Sequence, residues 1–459
     1  MLHTITKFHF VGIGGAGMSA LAKILLDRGY FISGSDLKHS EVTQKLESAG
    51  AKIFCGHEET NIQDAEALVV SSAIATNNPE VLKAKEIGLP IFHRSDVLAA
   101  LMEEKQGIAV AGAHGKTTTT SMIAVMLERA QTDPTIVIGG ELEYIGGNSK
   151  QGNGKYLVAE ADESDGSFLK FSPVIAVVTN IENDHMDYYK TMDNILQTFT
   201  RFLHKLPEQE GIGVLCFDNA YIREIVPNIK RRYISYAVNQ PAEYTARNIR
   251  VQGAVTYYEV FHHDKEIGTI MLQVPGLHNV SNSLAAVVVG IITGLSFEQV
   301  AEGLSFFRGA KRRFQTKARI NGVWIVDDYA HHPTEISTTL AAARQTEPKR
   351  LICAFQPHRY SRTKFLCKEF GRAFTAADLL ILTDVYAAGE QPIPGISGET
   401  IKEEVESQTG KKVIYIADRS QIARYLNEIV EAGDLVMTMG AGNIYLTGEE
   451  LVEKLVQKQ

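Results

Sequence analysis

The sequence predicts three α/β domains in series, and three observations carry the prediction. Short apolar runs alternate with helical patterns along the chain, the rhythm of parallel sheets covered by helices. The 459 residues suit three domains at roughly 150 residues each. Composition is that of a soluble globular chain, 44% hydrophobic and 22% charged, which excludes a disordered, collagen-like or disulfide-stapled protein.

The first domain is assigned to residues 1–98. Phe8–Ile13 reads as a strand, Met18–Arg28 as a helix, and Phe31–Ser35 and Ala67–Ser71 as further strands. The softer stretch Met102–Gly107 marks a boundary. The second domain, 107–310, opens with the strand Ile108–Ala111, a turn and the helix Thr117–Arg129. Two more strands, Tyr156–Ala159 and Val174–Thr179, each run into an acidic loop. Between Thr245 and Val274 the pattern changes to period two, which predicts antiparallel hairpins added to a parallel sheet. Asn282–Ile292 reads as a buried helix and Phe307–Arg313 as a basic hinge. The third domain, 311–459, returns to the α/β theme with strands Val323–Val326, Leu351–Phe355, Leu379–Thr383, Val413–Ile416 and Leu435–Met439.

Forty-six basic against fifty-four acidic residues leave a net charge of −8, the wrong sign for a general nucleic-acid binder. No apolar run approaches the ~18–20 residues of a membrane span, so no membrane partner is expected. Phe8–Met18 lacks a basic start and its apolar core is broken by glycines, unlike a signal peptide. The four cysteines (Cys55, Cys216, Cys353, Cys367) show no CxxC spacing and read as buried small apolar residues in a reducing compartment. A cytoplasmic monomer or homodimer is expected.

Four groups of residues point to chemistry. Gly12-Ile13-Gly14-Gly15-Ala16-Gly17 fits GxGxxG between a strand and a helix. Glycines there let the backbone approach a diphosphate at a helix N-terminus, and Asp36 ends the next strand where a ribose-binding acid is expected. The same glycines would also serve tight packing. Gly112-Ala113-His114-Gly115-Lys116-Thr117-Thr118 is the stronger signal. It would present backbone N–H groups to a triphosphate, Lys116 to the β/γ oxygens and Thr117 to Mg²⁺. Val110 stands where the usual phosphate-loop pattern has glycine, so this loop is a variant.

Two acidic loops, Glu160–Asp165 and Asn180–His185, follow strands, at the sheet ends where ligands collect. Burying so many carboxylates is costly unless they face cations. His185 reads equally as a nitrogen ligand, a general base or a hydrogen-bonded structural residue. In the third domain Asp327–Pro333 and Phe355–Thr363 also follow strands. Arg359 and Arg362 have the spacing to grip one carboxylate. A carboxylate acylates poorly until ATP converts it to an acyl phosphate. A phosphorylated ligand, ATP and a small acid on one chain therefore suit ATP-driven ligation.

The chain resembles the Mur ligases of bacterial peptidoglycan synthesis over essentially its whole length. The resemblance lies in HFVGIGGAGMSALA at 9–22, AGAHGKTTTT at 111–120, EADESDGSF at 160–168, NIENDHMDYY at 180–189, PGLHNVSNSLAA at 275–286, DDYAHHPTE at 327–335 and FQPHRYSRT at 355–363. It implies a Rossmann-like N-terminal domain for UDP-N-acetylmuramate, a central ATPase domain and a Rossmann-like C-terminal domain for the amino acid. Carried over by motif, Gly14, Gly15, Ala16, Gly17 and Met18 would take the diphosphate, with Asp36, Ser71, Ser72 and Arg94 near the uridine or sugar.

ATP would lie on Gly112–Thr118. Thr117 and Glu160 would hold one Mg²⁺ and His185 a second, with Lys116, Glu160 and His185 forming the catalytic set. His278, Asn279 and Asn282 resemble adenine-side residues, and Arg313 and Asp328 would reach ATP. Tyr329, His358, Arg359 and Arg362 would surround L-alanine, with His331 or His332 assisting the amine. The HRYSRT pattern is similar to the alanine-adding branch; the alternative is the recycling ligase that attaches a murein tripeptide. Thr200 stands where several members carry a carbamoylated lysine, so no such modification is expected. Asn443 stands where the family implies Asp, which leaves its role open.

Overall fold

The computed structural model describes residues 4–457, and three sheets organise them. The first holds β1 (Lys7–Val11), β2 (Phe31–Asp36), β3 (Lys52–Cys55), β4 (Ala67–Val70) and β5 (Ile91–His93). Its order is β3-β2-β1-β4-β5 and every pairing is parallel. The order reverses between β1 and β4, and a crevice opens at the carboxyl ends of strands at such a switch. The glycine turn after β1 and Ser71–Ser72 after β4 both fall there.

The second sheet holds β6 (Gln106–Ala111), β7 (Thr135–Leu142), β8 (Gly147–Lys150), β9 (Tyr156–Glu160), β10 (Ile175–Val178), β11 (Ile212–Cys216), β12 (Arg232–Ala237), β13 (Tyr244–Gln252), β14 (Val255–His262) and β15 (Lys265–Leu272). They are ordered β15-β14-β13-β12-β11-β10-β6-β9-β7-β8. Because β6 lies between β10 and β9, the loops after these three strands meet at one end of the sheet. Those loops are Gly112–Gly115, the acidic run after Glu160 and the Asn180–His185 segment.

The third sheet holds β16 (Gln315–Ile320), β17 (Val323–Asp328), β18 (Arg350–Phe355), β19 (Leu379–Leu382), β20 (Ile414–Tyr415) and β21 (Asp434–Met439), ordered β16-β17-β21-β18-β19-β20. Only β16 runs antiparallel to its neighbour. The middle strands bury both faces: Leu351, Cys353, Phe355 and Met437 join one apolar cluster, Ile352, Ala354 and Val436 the other. This is why they read as unbroken apolar runs.

The predicted three-domain α/β class is the observed one. By packing, the chain forms two compact units. One runs to Arg247 and adds Glu259–Ile270 and Ser281–Phe307; the other comprises Asn248–Tyr258, Met271–Val280 and the chain from Arg308.

Three expectations need correction. The first strand ends at Val11, because Gly12 turns the chain with φ 74°. The helix read as Asn282–Ile292 begins at Leu277, so the polar residues His278 and Asn279 lie in its first turn. Cys55 is exposed, whereas Cys216 and Cys353 are buried; all four thiols are free. Among the described residues no helix is long and apolar enough to cross a membrane.

Candidate active site

The turn from β6 into the helix Lys116–Arg129 is shaped by two glycines, Gly112 at φ 135° and Gly115 at φ 82°. A Cβ on Gly112 would lie 2.2 Å from Thr179 Oγ1, and one on Gly115 2.6 Å from Asn282 Oδ1. Neither position admits a larger residue. The turn is braced from β10: the His114 amide donates to Asn180 Oδ1 at 2.8 Å, and Thr179 Oγ1 donates to the His114 carbonyl at 2.6 Å.

Lys116 ends among carbonyls and a carboxylate. Its ammonium donates to the Gly112 and Ala113 carbonyls and to Glu163 Oε1 at 2.8 Å. Burial alone would lower its pKa, but Glu163, Asp162 and Glu160 outweigh burial and hold the ammonium above its usual range. Thr117 Oγ1 lies 3.2 Å from Glu160 Oε2, while Gly139 N–H fixes the other Glu160 oxygen at 2.6 Å. Glu163 Oε2 is buried without a hydrogen-bond partner. These oxygens form the donor set a hard divalent cation takes beside a phosphate. His185, at φ 55°, directs Nε2 to within 3.8 Å of Glu163 and 3.6 Å of Asp184.

The acidic run Glu160–Asp165 thus meets several partners. Glu160 faces Thr117 and Glu163 faces Lys116, while Asp162 pairs with Arg94 at 2.5 Å. Asp165 accepts from Ser72 and from the Ser167 amide. Burial works against ionisation of Asp162, yet Arg94 and the Ser164 contacts keep its pKa below the usual carboxylate range. Ser72 also lies 3.1 Å from His93 Nε2, and burial holds that imidazole below its ordinary pKa.

On the glycine turn after β1, Asp36 Oδ2 accepts from the Gly14 amide at 2.9 Å, and Asp36 Oδ1 accepts from Leu37 N–H at 2.8 Å. Gly17 lies against Arg94, whose Nη1 would be 3.3 Å from an added Cβ. Ala16 is exposed, Met18 is buried, and the Ser71 carbonyl accepts from Ile74 N–H at 3.0 Å. Gly14, Gly17, Asp36, Ser71, Ser72 and Arg94 therefore line one end of the first sheet. Asn282 is buried against the Gly115 turn.

The second unit holds the remaining residues. Asp328 ends β17 buried, and its carboxylate accepts from Phe314 N–H at 2.7 Å and Ala330 N–H at 2.8 Å. Burial pushes its pKa up to about 6. Arg313 lies 3.8 Å from Glu335 and over the Tyr329 ring. The His331 and His358 rings meet edge-on at 5.8 Å, and Arg362 Nη1 lies 3.3 Å from His358 Nδ1. Burial brings both imidazoles down to about 4, so both are neutral at pH 7. Arg359, exposed, holds φ 69° and donates its N–H to the Tyr386 carbonyl. A positive φ is unusual for arginine and marks a turn constrained by its surroundings.

His332 is a helix cap. Its ring accepts from Thr334 N–H while Glu335 reaches back to its own amide, closing a capping box. Burial, with Arg313 nearby, also lowers His278 to about 4, and Asn279 donates to the Pro275 carbonyl at 2.7 Å. Asn443 accepts from Gln356 Nε2 at 2.9 Å, joining the loops after β21 and β18.

Sequence reasoning missed Glu163 as the partner of Lys116, and Thr179 and Asn180 as braces of the phosphate turn. The motif NIENDH contains Asn180, but only the adjacency of β10 and β6 gives it that work.

A phosphate turn, acidic donors and a third α/β sheet carrying Arg359 and Arg362 suit a nucleotide-dependent ligase, and the chain belongs to the Mur ligase family. Residues 7–106 match the family description "Mur ligase family, catalytic domain", 110–290 "Mur ligase middle domain" and 312–442 "Mur ligase, glutamate ligase domain". It is 52% identical over 452 residues to the UDP-N-acetylmuramate–L-alanine ligase of Pelotomaculum thermopropionicum, covering 98% of each chain. Its fold is similar to the UDP-N-acetylmuramate–alanine ligase MurC of Thermotoga maritima, with TM-score 0.86 and 29% identity, covering 99% of this chain and 100% of that one. A murein peptide ligase from Psychrobacter arcticus shares the fold at TM-score 0.73 and 24% identity, covering 98% of each chain.

Proposed function

We propose that the chain is an ATP-dependent ligase that joins the amine of L-alanine to the lactyl carboxylate of UDP-N-acetylmuramate, releasing ADP and phosphate, in peptidoglycan precursor synthesis. One observation carries the chemistry: a glycine turn at a helix N-terminus with Lys116 and the Thr117–Glu160 oxygens converging on it. The 52% identical relative named for this reaction supports alanine over a recycled tripeptide. Nucleotide substrates put the work in the cytoplasm.

In this reading residues 1–98 take the sugar nucleotide, 107–310 ATP and 311–459 the amino acid. Gly14–Met18, Asp36, Ser71, Ser72 and Arg94 hold the diphosphate and sugar. Gly112–Thr118 cradle the phosphates of ATP, with His278, Asn279 and Asn282 on the adenine side and Arg313 and Asp328 contributing from the C-terminal domain. Thr117 and Glu160 would hold Mg²⁺, with His185 at a second ion, supplying neutralisation of phosphate charge. Lys116 leaves Glu163 for the γ-phosphate and steadies its transfer to the lactyl carboxylate. Catalysis here is largely positioning and charge stabilisation.

The acyl phosphate then meets alanine, whose carboxylate sits with Arg359, Arg362, His358 and Tyr329. The amine attacks, the tetrahedral adduct collapses, and phosphate leaves. An α-amino group with pKa ~7.7–8.0 is partly neutral at pH 7, so no strong base is needed. Neutral His331 would accept a hydrogen bond from the amine; His332 is spent on its helix. The test is phosphate release with each substrate omitted in turn. Sustained release is expected only from the complete mixture, whereas release from ATP alone would indicate a plain nucleotide hydrolase.

A further inference from the structure

Four strands along the second sheet from β6, at the entrance to β13, Glu243 faces the turn between β14 and β15. That turn consists of His263 and Asp264. Glu243, His262 and His263 each place a ligand-type atom within 4.8 Å of the others. Glu243 Oε1 lies 3.2 Å from His262 Nε2, with side-chain exposures of 32% and 41%. Two further contacts fix this corner. The His262 ring stacks on Tyr244 at 4.5 Å and 21°, and the His263 amide donates to the Glu243 carbonyl at 2.6 Å. Asp264 is engaged elsewhere, 3.1 Å from Arg247.

The backbone adds a second observation. His263 holds φ 53° in a two-residue hairpin turn, where glycine or asparagine is the usual occupant. Histidine is among the few non-glycine residues enriched in this region, and the His263 ring lies 4.6 Å from that of His262, which keeps both imidazoles at one corner.

We propose that Glu243, His262 and His263 form a surface site for a divalent transition-metal ion, zinc foremost, separate from the nucleotide site. Two imidazoles and one carboxylate suit zinc, nickel or copper, and disfavour magnesium and calcium, which want oxygen. Ligand bonds of ~2.0–2.2 Å in a tetrahedron put the donor atoms about 3.3 Å apart. The Glu243–His262 pair already has that spacing, and rotation of the exposed His263 ring brings in the third donor. Imidazole binds metal through a deprotonated nitrogen, so binding weakens in acid. The ion would staple β13 to the β14–β15 turn.

The test is zinc competition against a chromogenic chelator on the full chain in excess magnesium, for wild type, His262→Ala and His263→Asn. Asparagine keeps a residue that tolerates the positive φ while removing the imidazole. Wild type is expected to bind one zinc more tightly than either variant by at least ~10-fold, all three retaining ligase activity. A cobalt-loaded wild type should also show a tetrahedral ligand-field band that both variants lack. Equal zinc affinity and stoichiometry in all three proteins would overturn the site.

Discussion

Two glycine turns, after β1 and after β6, are built alike and equipped differently. Both lead a parallel strand into a helix N-terminus, where backbone N–H groups favour anions. The first turn has no cation in its own helix: Ala16–Asp27 begins without a basic residue, Asp36 closes the loop on the Gly14 amide, and the guanidinium beside Gly17 is that of Arg94, already paired with Asp162. The second begins its helix with Lys116, already matched by Glu163 and adjoining the Thr117–Glu160 oxygens. One backbone solution thus serves two tasks. In the proposed reading, a turn lined by dipoles holds a diphosphate that stays intact, and a turn with a movable ammonium handles phosphate whose charge shifts during transfer.

The comparison can be broken most sharply at Lys116. Lys116→Ala should lower kcat by ~10²–10³, the scale of losing one transition-state charge partner, with the KM for the sugar nucleotide nearly unchanged. Steady-state phosphate release measures both. Arg359→Ala should raise the KM for alanine about 10–100-fold, the worth of a charged hydrogen bond. Isothermal titration should show UDP-N-acetylmuramate binding intact in that variant; its loss would place the arginine in the wrong domain.

The glycines sharpen the contrast. Gly112→Ala sets a Cβ 2.2 Å from Thr179 Oγ1 at φ 135°, and should cost at least ~1–3 kcal/mol in denaturant unfolding. Gly14→Ala meets the Asp36 carboxylate at 2.9 Å and Thr43 Cγ2 at 3.2 Å, both side chains, and without a positive φ. It should cost less stability while weakening the sugar nucleotide.

Acid acts on the second unit. His278, His331 and His358 are all lowered to about 4, from an unfolded value of ~6.5. The stability tied to keeping them neutral is full above that unfolded value and is lost as pH falls toward 4. Asp328, raised to about 6, acts oppositely: its contribution is present in acid and lost as pH rises through about 6. Three groups against one should leave the second unit less stable at pH 5 than at pH 7. His358→Gln should flatten that slope in urea titrations.

Much of this was legible in the residues. Thr117 and Glu160 stand where strand-end logic puts them, and their oxygens do meet. Glu163 was hidden because four acids in six positions look alike until the fold assigns each a cation. Asp36 was read as a ribose ligand from its spacing; the spacing did not show that each of its oxygens also accepts a backbone amide of its own domain. His332 looked like chemistry beside His331, but a residue before Pro333 that begins a helix is as well suited to capping it. The hairpins of 245–274 were visible as period two, whereas β8 is too short to show a period.

The central claim is that the turn after β6 receives the triphosphate and that Lys116 exchanges Glu163 for it. A crystal of the protein with a non-hydrolysable ATP analogue and magnesium tests it directly. The expected result places the β- and γ-phosphates on the amides of Gly112–Thr118, with Lys116 Nζ on phosphate oxygens. Phosphates lodged elsewhere, with the Lys116–Glu163 pair undisturbed, would contradict the account.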